Sequence, residues 1–332
     1  MAKGGTEPPT RRGLLRALAA ALAAAALPRA HVRAEEEKNP EPPIRILAGP
    51  AGSTEHALGT AMMKLLTSRV TGTRIALKPI NSAFERLQLL NAGEAEIAFA
   101  AGHVLAAAHA GKKEFSFKAE LKNLRAIAAL HSDLIEIVAA RGAGVAMLAD
   151  LKGKRVSVGA PRSDVELAAR AILAEAGVGP QDFRIAEYLA FADAAELLQK
   201  RELDAFFHMG LRPDDAMRAL ARGTEIAILE IQPEVVAKLG APYRRAALPA
   251  NSYRGQTAEV ATALVPHYLA TRAELSEETV HKLTKALFDH LNELAAAHVA
   301  GRAIRLDSAP RRPPVPLHPG AAKYFREKGV RF

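Results

Sequence analysis

The sequence predicts an α/β fold built from mostly parallel sheets that are covered by helices. Short apolar segments alternate with segments of helical periodicity through most of the chain. The apolar segments are nearly continuous, which is typical of strands buried on both faces of a parallel sheet. With 332 residues, the chain is long enough for one large or two medium domains with a sizeable core.

The N-terminal region is predicted to be a cleaved export signal over residues 1–34. Basic residues come first, an apolar run follows at 17–27, and small residues end the segment. The run is much shorter than the ~20 residues that a membrane-spanning helix needs. The stretch "TRRGLLR" (10–16) resembles the twin-arginine export pattern, and an ordinary secretory signal remains the alternative.

We expect cleavage near Ala34, a flexible lead-in over residues 35–43, and a mature protein in the periplasm without membrane insertion. The chain has 45 Lys/Arg and 36 Asp/Glu, and residues 1–34 hold six of the bases and one of the acids. The remaining 39 bases and 35 acids are spread along the chain, which argues against a nucleic-acid partner. Because there is no cysteine, the fold needs neither disulfides nor a lipid anchor on cysteine.

Individual elements follow from the same pattern. The apolar segments predict strands at 44–49, 74–80, 96–102, 124–130, 134–141, 154–160, 183–189 and 203–210. Helical periodicity predicts helices at 54–69, 83–92, 164–176, 192–200 and 276–298, followed by a short helix at the C-terminus. Beyond about residue 243 the pattern becomes extended and apolar, and Ser276 is the predicted N-cap of the long helix.

Four stretches occur in the order expected for one protein family. They are "LLNAGEAEIAFA" (89–100), "LADLKGKRVSVGAP" (148–161), "LTKALFDHLNELAAAH" (283–298) and "PVPLHPGAAKYFREKG" (314–329). Through them the chain resembles, from about 44 to 330, the TAXI-type solute-binding proteins of tripartite ATP-independent periplasmic (TRAP) transporters. No single stretch is decisive, but the set covers nearly the whole mature chain.

The resemblance implies a two-lobed, type 2 periplasmic binding protein fold that closes on a small organic acid. It also implies delivery of that acid to a TRAP membrane permease driven by an ion gradient. Lobe 1 would comprise 44–140 plus 245–332, and lobe 2 would comprise 145–240. Ligands of open α/β sheets bind beyond the carboxyl ends of the strands, so the cleft between the lobes is the predicted site.

The candidate ligand-binding residues lie in strand-to-helix turns that would face this cleft. Helix N-termini there present free N–H groups and a partial positive charge, which suit a carboxylate. The candidates are Gly52, Ser53, Thr54, Glu55, His56, Asn81, Ser82, Arg162, Ser163, Asp164, Phe191 and His208.

Each candidate also has a purely structural explanation. Ser163 and Glu166 match a capping box that any helix can use, and Arg162 beside them is either a carboxylate clamp or a solvated side chain. Glu55 replaces an aromatic residue usual in the resembled family, and it either meets an ammonium group of the ligand or complements the helix dipole. His208 is a hydrogen-bond donor to a carboxylate or a structural histidine.

The sequence predicts no enzymatic activity, cofactor or metal ion. There is no cysteine nucleophile, no Gly-x-Ser-x-Gly elbow, no His-Glu-x-x-His motif and no phosphate-binding Gly-rich loop. The eleven histidines are scattered without the spacing of a metal site.

The favoured interpretation is a monomeric transport receptor for a small carboxylate, such as glutamate, another amino acid, a di-acid or a hydroxy-acid. Three alternatives stay open: a sensing module that signals to a membrane kinase, a periplasmic enzyme on the same fold, and a receptor whose cleft has changed to an unusual ligand.

Overall fold

The computed structural model describes residues 43–212 and 214–332. The predicted signal peptide and residues 35–42 of the predicted lead-in lie outside the described residues. The described part of the chain alternates between strands and helices up to residue 239, as the sequence predicts.

Ten strands form one sheet within this part of the chain. They are β1 (Ile44–Ala48), β2 (Ile75–Pro79), β3 (Ile97–Ala101), β4 (Leu124–Ala140), β5 (Arg155–Ser157), β6 (Ile185–Glu187), β7 (Ala205–Gly210), β8 (Ile226–Leu229), β9 (Arg244–Leu248) and β10 (Val260–Arg272).

Ten α-helices connect and cover the strands of the same region. They are α1 (Thr54–Arg69), α2 (Ala83–Asn91), α3 (Gly102–His109), α4 (Asp164–Glu175), α5 (Phe191–Gln199), α6 (Asp215–Gly223), α7 (Pro233–Leu239), α8 (Glu277–Phe288), α9 (Leu291–Ala297) and α10 (Pro319–Glu327). Short 3₁₀ turns occur between several of these elements.

The sheet consists of two parallel sets joined by two long antiparallel strands. Its order is β2-β1-β3-β10-β4-β7-β5-β6, with β8 paired to β4 and β9 paired to β10. Strands β1, β2 and β3 are parallel to one another, and so are β5, β6 and β7 where they pair. The predicted parallel sheets are therefore present, and the long strands β4 and β10 run antiparallel to their neighbours.

The two long strands pair with each other and so link the two parallel sets, since β10 pairs with β3 of the first set and β4 pairs with β7 of the second. The first part of β4 (124–134) pairs with β10, whereas its last part (134–140) pairs with β7 and β8. Similarly, β10 pairs with β3 over 267–270 and with β9 over 260–264. The two halves of the fold meet where β4 and β10 lie side by side. The lobe boundaries near 140–150 and 240–245 remain predictions.

Two predicted elements differ from the structure. The strands expected at 124–130 and 134–141 are one continuous strand, because β10 pairs with β4 across the polar residues between them. The helix expected at 276–298 is divided into α8 and α9. The break lies at Asp289, whose carboxylate accepts a hydrogen bond from Tyr324 of α10 at 2.9 Å and lies 2.8 Å from Lys328, which follows α10.

The predicted cap of α8 is confirmed, since Ser276 Oγ accepts a hydrogen bond from the N–H of Thr279 at 3.1 Å. The helix packs closely against α10, where Gly320 lies in the first turn. A Cβ atom at Gly320 would lie 2.3 Å from the carbonyl oxygen of Glu277 and 2.9 Å from the nitrogen of His281. Both neighbours are backbone atoms, so neither can rotate away.

We therefore expect Gly320→Ala to lower the free energy of unfolding by about 1–3 kcal/mol through overpacking. Gly223→Ala is the matched control, because a Cβ there meets no described atom within 4 Å. Urea denaturation of both variants measures the difference. Equal stability of the two variants would contradict the close packing of α8 on α10.

Candidate functional site

Three helices at the candidate site begin with a serine cap. The sequence pattern predicts the caps at Ser82 and Ser163, whereas Ser53 was predicted only as a ligand contact. In each, the serine hydroxyl accepts a hydrogen bond from the backbone N–H three residues later. The pairs are Ser53 with His56, Ser82 with Glu85, and Ser163 with Glu166, each at 3.2 Å.

The second half of the predicted capping box at Ser163 is absent among the described residues. The Glu166 carboxylate is buried and pairs with Arg170 at 2.5 Å instead of returning to the serine backbone. Arg170 also donates to the carbonyl oxygen of Glu114 at 2.8 Å, and so ties α4 to the segment after α3. The helix start is therefore held both by its own cap and by an ion pair.

The starts of α2 and α4 face each other, although they belong to different parallel sets of the sheet. The backbone N–H of Ala83 donates to the carbonyl oxygen of Arg162 at 2.9 Å. The guanidinium of Arg86 is only 1% exposed, and its Nη2 lies 2.5 Å from Oδ2 of Asp164. The His103 ring contacts the carbonyl oxygen of Asp164 at 3.0 Å. These contacts hold the two halves of the fold together at the candidate site.

Glu55 lies beneath this contact and is linked to the long strands. Its Oε1 is 3.2 Å from Nδ1 of His267, and Nε2 of His267 is 3.2 Å from Oδ2 of Asp133. Burial lowers the pKa of His267, but Asp133 and Glu55 outweigh burial and raise that pKa well above its usual value. Burial raises the pKa of Glu55, but His267 and Arg86 outweigh it and hold the pKa well below the usual range.

Gly49 makes room for two of these side chains. A Cβ atom at that position would lie 2.9 Å from Oε2 of Glu55 and 3.2 Å from Nη1 of Arg86. Only a residue without a side chain lets the carboxylate and the guanidinium approach the end of β1 this closely. We call Glu55, Arg86, Asp133, Asp164 and His267 the buried charge cluster.

Two further histidines border the buried charge cluster. The His131 ring stacks on that of His267, with centroids 4.8 Å apart and planes at 10°. Burial lowers the pKa of His131 to about 4. Burial likewise lowers the pKa of His103 to about 4, and the ring centroid of His103 lies 5.4 Å from that of Tyr243. Both imidazoles are therefore neutral at neutral pH.

A second polar group contains two predicted residues. His208 Nε2 lies 2.7 Å from Oδ2 of Asp214, and the Phe191 ring centroid is 4.7 Å from that of His208. Burial raises the pKa of Asp214, but the contact with His208 outweighs it and lowers the pKa below its usual value. His208 and Phe191 are thus in contact with each other, and His208 has a carboxylate partner.

A buried glutamate on β4 supports the same region. The hydroxyl of Tyr253 donates to Glu136, with 2.9 Å to each carboxylate oxygen. Arg212 forms an ion pair with Glu136, and its guanidinium also lies over the Tyr253 ring, 5.3 Å from the centroid. The carboxylate of Glu136 is almost fully buried, so both partners are needed to stabilise its charge.

The remaining predicted residues lie around the starts of α1, α2 and α4. Near α1, Gly52 has a positive φ of 86°, Thr54 is the first residue of the helix, and His56 is half-buried. Asn81 and Arg162 are both exposed. The guanidinium of Arg162 lies 5.1 Å from the centroid of the Phe84 ring. Arg86 joins Glu55 to Asp164. Among the described residues, His208 and Phe191 form a separate group with Asp214 and do not take part in this link.

Five residues of the site were not predicted from the sequence, namely Arg86, Asp133, His267, His131 and His103. A sequence signal for three of them exists, because His131, Asp133 and His267 interrupt apolar strands that should be buried. A polar residue buried in a strand needs a partner, and these residues partner one another across β4 and β10. Arg86 had a signal of the same kind, since it shares the apolar, buried face of its helix with Ala83, Leu87 and Leu90.

Comparison with known proteins supplies a family and a fold. The profile of the NMT1-like family matches residues 46–329. Solved structures with the same fold include PhnD1 from Prochlorococcus marinus (MIT 9301) in complex with methylphosphonate. That chain is 13% identical, with 79% of this chain and 90% of that chain covered and a TM-score of 0.54.

Two other similar structures are the binding protein component of an ABC phosphonate transporter from Pseudomonas aeruginosa and a Xanthomonas citri protein bound to ATP. They are 14% and 12% identical, with TM-scores of 0.52 for both. The alignment with the phosphonate transporter component covers 79% of this chain and 80% of that chain. The alignment with the Xanthomonas citri protein covers 86% of this chain and 95% of that chain. The predicted two-lobed periplasmic binding protein fold is thus confirmed. Within the described residues, no helix is long and apolar enough to cross a bilayer.

The buried His103 predicts a specific dependence of stability on pH. Its pKa is about 4 in the folded protein and near 6.5 when the chain unfolds, so folding keeps it neutral. The stabilisation is present above pH 6.5 and is lost as the pH falls toward 4. Its neighbours are the carbonyl of Asp164 and the rings of Tyr243 and Phe115.

We expect His103→Gln, which retains a donor toward Asp164, to lose less stability than the wild type between pH 7 and pH 4. The difference between the two should reach about 3 kcal/mol over this range. Urea denaturation at a series of pH values measures it. Parallel stability curves for the two proteins would show that His103 does not have a lowered pKa.

Proposed function

We propose that this chain, which belongs to the NMT1-like family, is an exported receptor that captures a small carboxylate between its two lobes and passes it to a membrane permease. The two-lobed fold supports this proposal, because such folds bind ligands in the cleft where the halves meet. Among the similar solved structures, one binds methylphosphonate, one binds ATP and one is a component of a phosphonate transporter.

The buried position of Arg86 is the observation that best supports the proposal. Its guanidinium is almost fully buried between the halves of the fold, where an unpaired charge would be very costly. Its partner in the structure is a carboxylate, and that carboxylate comes from the opposite half. A planar guanidinium in this position suits the bidentate binding of a ligand carboxylate.

In this proposal, Asp164 occupies the place of the ligand carboxylate in the closed protein without ligand. An incoming carboxylate would replace Asp164 on Arg86, and the N–H groups at the starts of α2 and α4 would add further donors. Asp164 and Glu55 would then be close to the rest of the ligand, where an ammonium or hydroxyl group would be favoured. Arg162 and Asn81, at the exposed edge, would complete the site.

The charges around Arg86 favour an amino acid over a phosphonate. A phosphonate carries up to two negative charges, and Glu55 and Asp164 place two carboxylates close to the guanidinium. A zwitterionic amino acid instead offers one carboxylate for Arg86 and one ammonium group for the acidic side chains. Glutamate and other amino acids are therefore the first ligands to test, followed by di-acids and hydroxy-acids.

The membrane partner in this proposal is a TRAP-type permease. The support is the resemblance of four stretches of the sequence to TAXI-type receptors, and the predicted export signal is consistent with a periplasmic receptor. Some structures of the same fold serve ABC transporters, so the permease class needs its own test. Uptake of the bound acid that requires a co-expressed TRAP permease and collapses with the ion gradient would support the proposal. Uptake that requires an ATPase subunit would contradict this part of it.

A binding panel tests the receptor and the role of Arg86 together. Purified residues 35–332 would be screened by thermal shift against amino acids, di-acids and keto-acids. A ligand at 100 times its Kd should add about 2.7 kcal/mol of stability. We expect Arg86→Lys to weaken the selected acid at least tenfold, about 1.4 kcal/mol, because lysine keeps the charge but loses the planar fork.

Arg45→Lys is the matched control for this experiment. Arg45 also pairs with a carboxylate, Glu96, at 3.0 Å, but it lies on β1 with no contact to the buried charge cluster among the described residues. Calorimetry should give the control the wild-type affinity. Unchanged affinity in Arg86→Lys would remove Arg86 from the ligand site, and a panel without any binder would contradict a carboxylate receptor.

A further inference from the structure

Two histidines and an aspartate come together where β4 pairs with β10. His131 and Asp133 lie on β4, and His267 lies opposite them on β10, beside a register shift between Pro266 and Tyr268. All three side chains are at least nine-tenths buried. We call these three residues the His–Asp–His group.

Polar atoms of the His–Asp–His group lack hydrogen-bond partners among the described residues. Neither nitrogen of His131 has one, and neither does Oδ1 of Asp133. Buried polar atoms are nearly always hydrogen-bonded, because an unpaired one has lost its contacts with water without replacement. A buried imidazole without a partner for either nitrogen therefore indicates that an additional group belongs there.

The separations between the donor atoms are suited to a metal ion. His131 Nε2 is 3.6 Å from Oδ1 of Asp133, and His267 Nε2 is 3.2 Å from Oδ2 of the same residue. Ligand atoms bound about 2.1 Å from a tetrahedral zinc ion are about 3.4 Å apart. One donor atom from each residue lies within 4.8 Å of the others. Binding one ion would require the His131 ring, which stacks on that of His267, to turn toward it.

Glu55 supplies the outer contact that metal-binding histidines usually have. Its Oε1 lies 3.2 Å from Nδ1 of His267, on the far side of the ring from Asp133. Nδ1 of His267 has no hydrogen-bond partner among the described residues. With a metal ion on Nε2, this carboxylate would accept the Nδ1–H and fix the orientation of the ring.

Charge balance also favours a divalent cation. Arg86 and Asp164 neutralise each other, which leaves the carboxylates of Glu55 and Asp133 in the same buried region. One protonated histidine between them leaves a net negative charge in the interior. A divalent ion with two neutral imidazoles balances both carboxylates.

We propose that His131, Asp133 and His267 bind a divalent transition-metal ion, with Zn²⁺ the best match to two imidazoles and one carboxylate. A solvent or solute oxygen would complete four-coordination. The ion would join β4 to β10 where the two halves of the fold meet. This site shares Glu55 with the proposed receptor site, but it uses neither Arg86 nor the starts of α2 and α4. Zn²⁺ binding is therefore measured without the acid, and either proposal can fail while the other stands.

Calorimetry with ZnCl₂ tests the site on the mature chain without a polyhistidine tag, after removal of metal with EDTA. We expect one saturable Zn²⁺ per chain, with a higher melting temperature in its presence. His131→Gln should weaken Zn²⁺ at least 100-fold, and Glu55→Gln should weaken it about 10-fold through the outer contact.

His281→Gln is the matched control, since His281 also lies 2.8 Å from a carboxylate, that of Glu327, but on the surface. Its Zn²⁺ affinity should equal that of the wild type. Should His131→Gln fail to fold, the visible spectrum of the Co²⁺-loaded wild type decides, with tetrahedral nitrogen and oxygen coordination as the expected result. Absence of saturable binding, equal affinity in His131→Gln, or an octahedral aqueous spectrum would overturn the proposal. In that case His267 would serve only as a cation between Glu55 and Asp133.

Discussion

The arrangement of the candidate site depends on one buried ion pair, between Arg86 and Asp164. Arg86 lies on a helix of one half of the fold and Asp164 begins a helix of the other, and the guanidinium is almost inaccessible to water. A buried guanidinium is stable only with a partner, so the two halves must either stay in contact or supply Arg86 with another anion. The neighbouring residues fit this ion pair: Gly49 leaves room for Arg86 and Glu55, and His103 contacts the backbone of Asp164. This need of the Arg86 guanidinium for an anionic partner is the physical reason why a receptor function fits the geometry.

The helix starts illustrate how a residue serves both structure and binding. Ser82 and Ser163 cap their own helices, and the backbone beside them joins the two halves through Ala83 and Arg162. A serine cap satisfies one N–H group and leaves others of the first turn free, so capping does not exclude a ligand. The sequence alone therefore cannot separate helix capping from ligand binding at these motifs, because the same helix start can do both.

Much of the fold was predictable, because buried strands such as β3 and capped helices such as α8 have strong local signals. The division of the long helix at Asp289 was not, since the partners of Asp289, Tyr324 and Lys328, are distant in the sequence. At the site, Glu55 and Asp164 were predicted from their turns. Arg86 and His267 were missed, because the sequence does not reveal that the starts of α2 and α4 meet or that β4 and β10 are adjacent.

The proposed receptor works only if the halves separate and close around the solute that occupies Arg86. Distance measurements between two spin labels test this most directly, and the absence of native cysteines allows specific labelling at Lys64→Cys and Glu202→Cys, both exposed. We predict a broad distribution without solute and a shift to one shorter, narrow distribution when the acid identified by binding is added. The same narrow distribution with and without a saturating solute would contradict closure around a ligand.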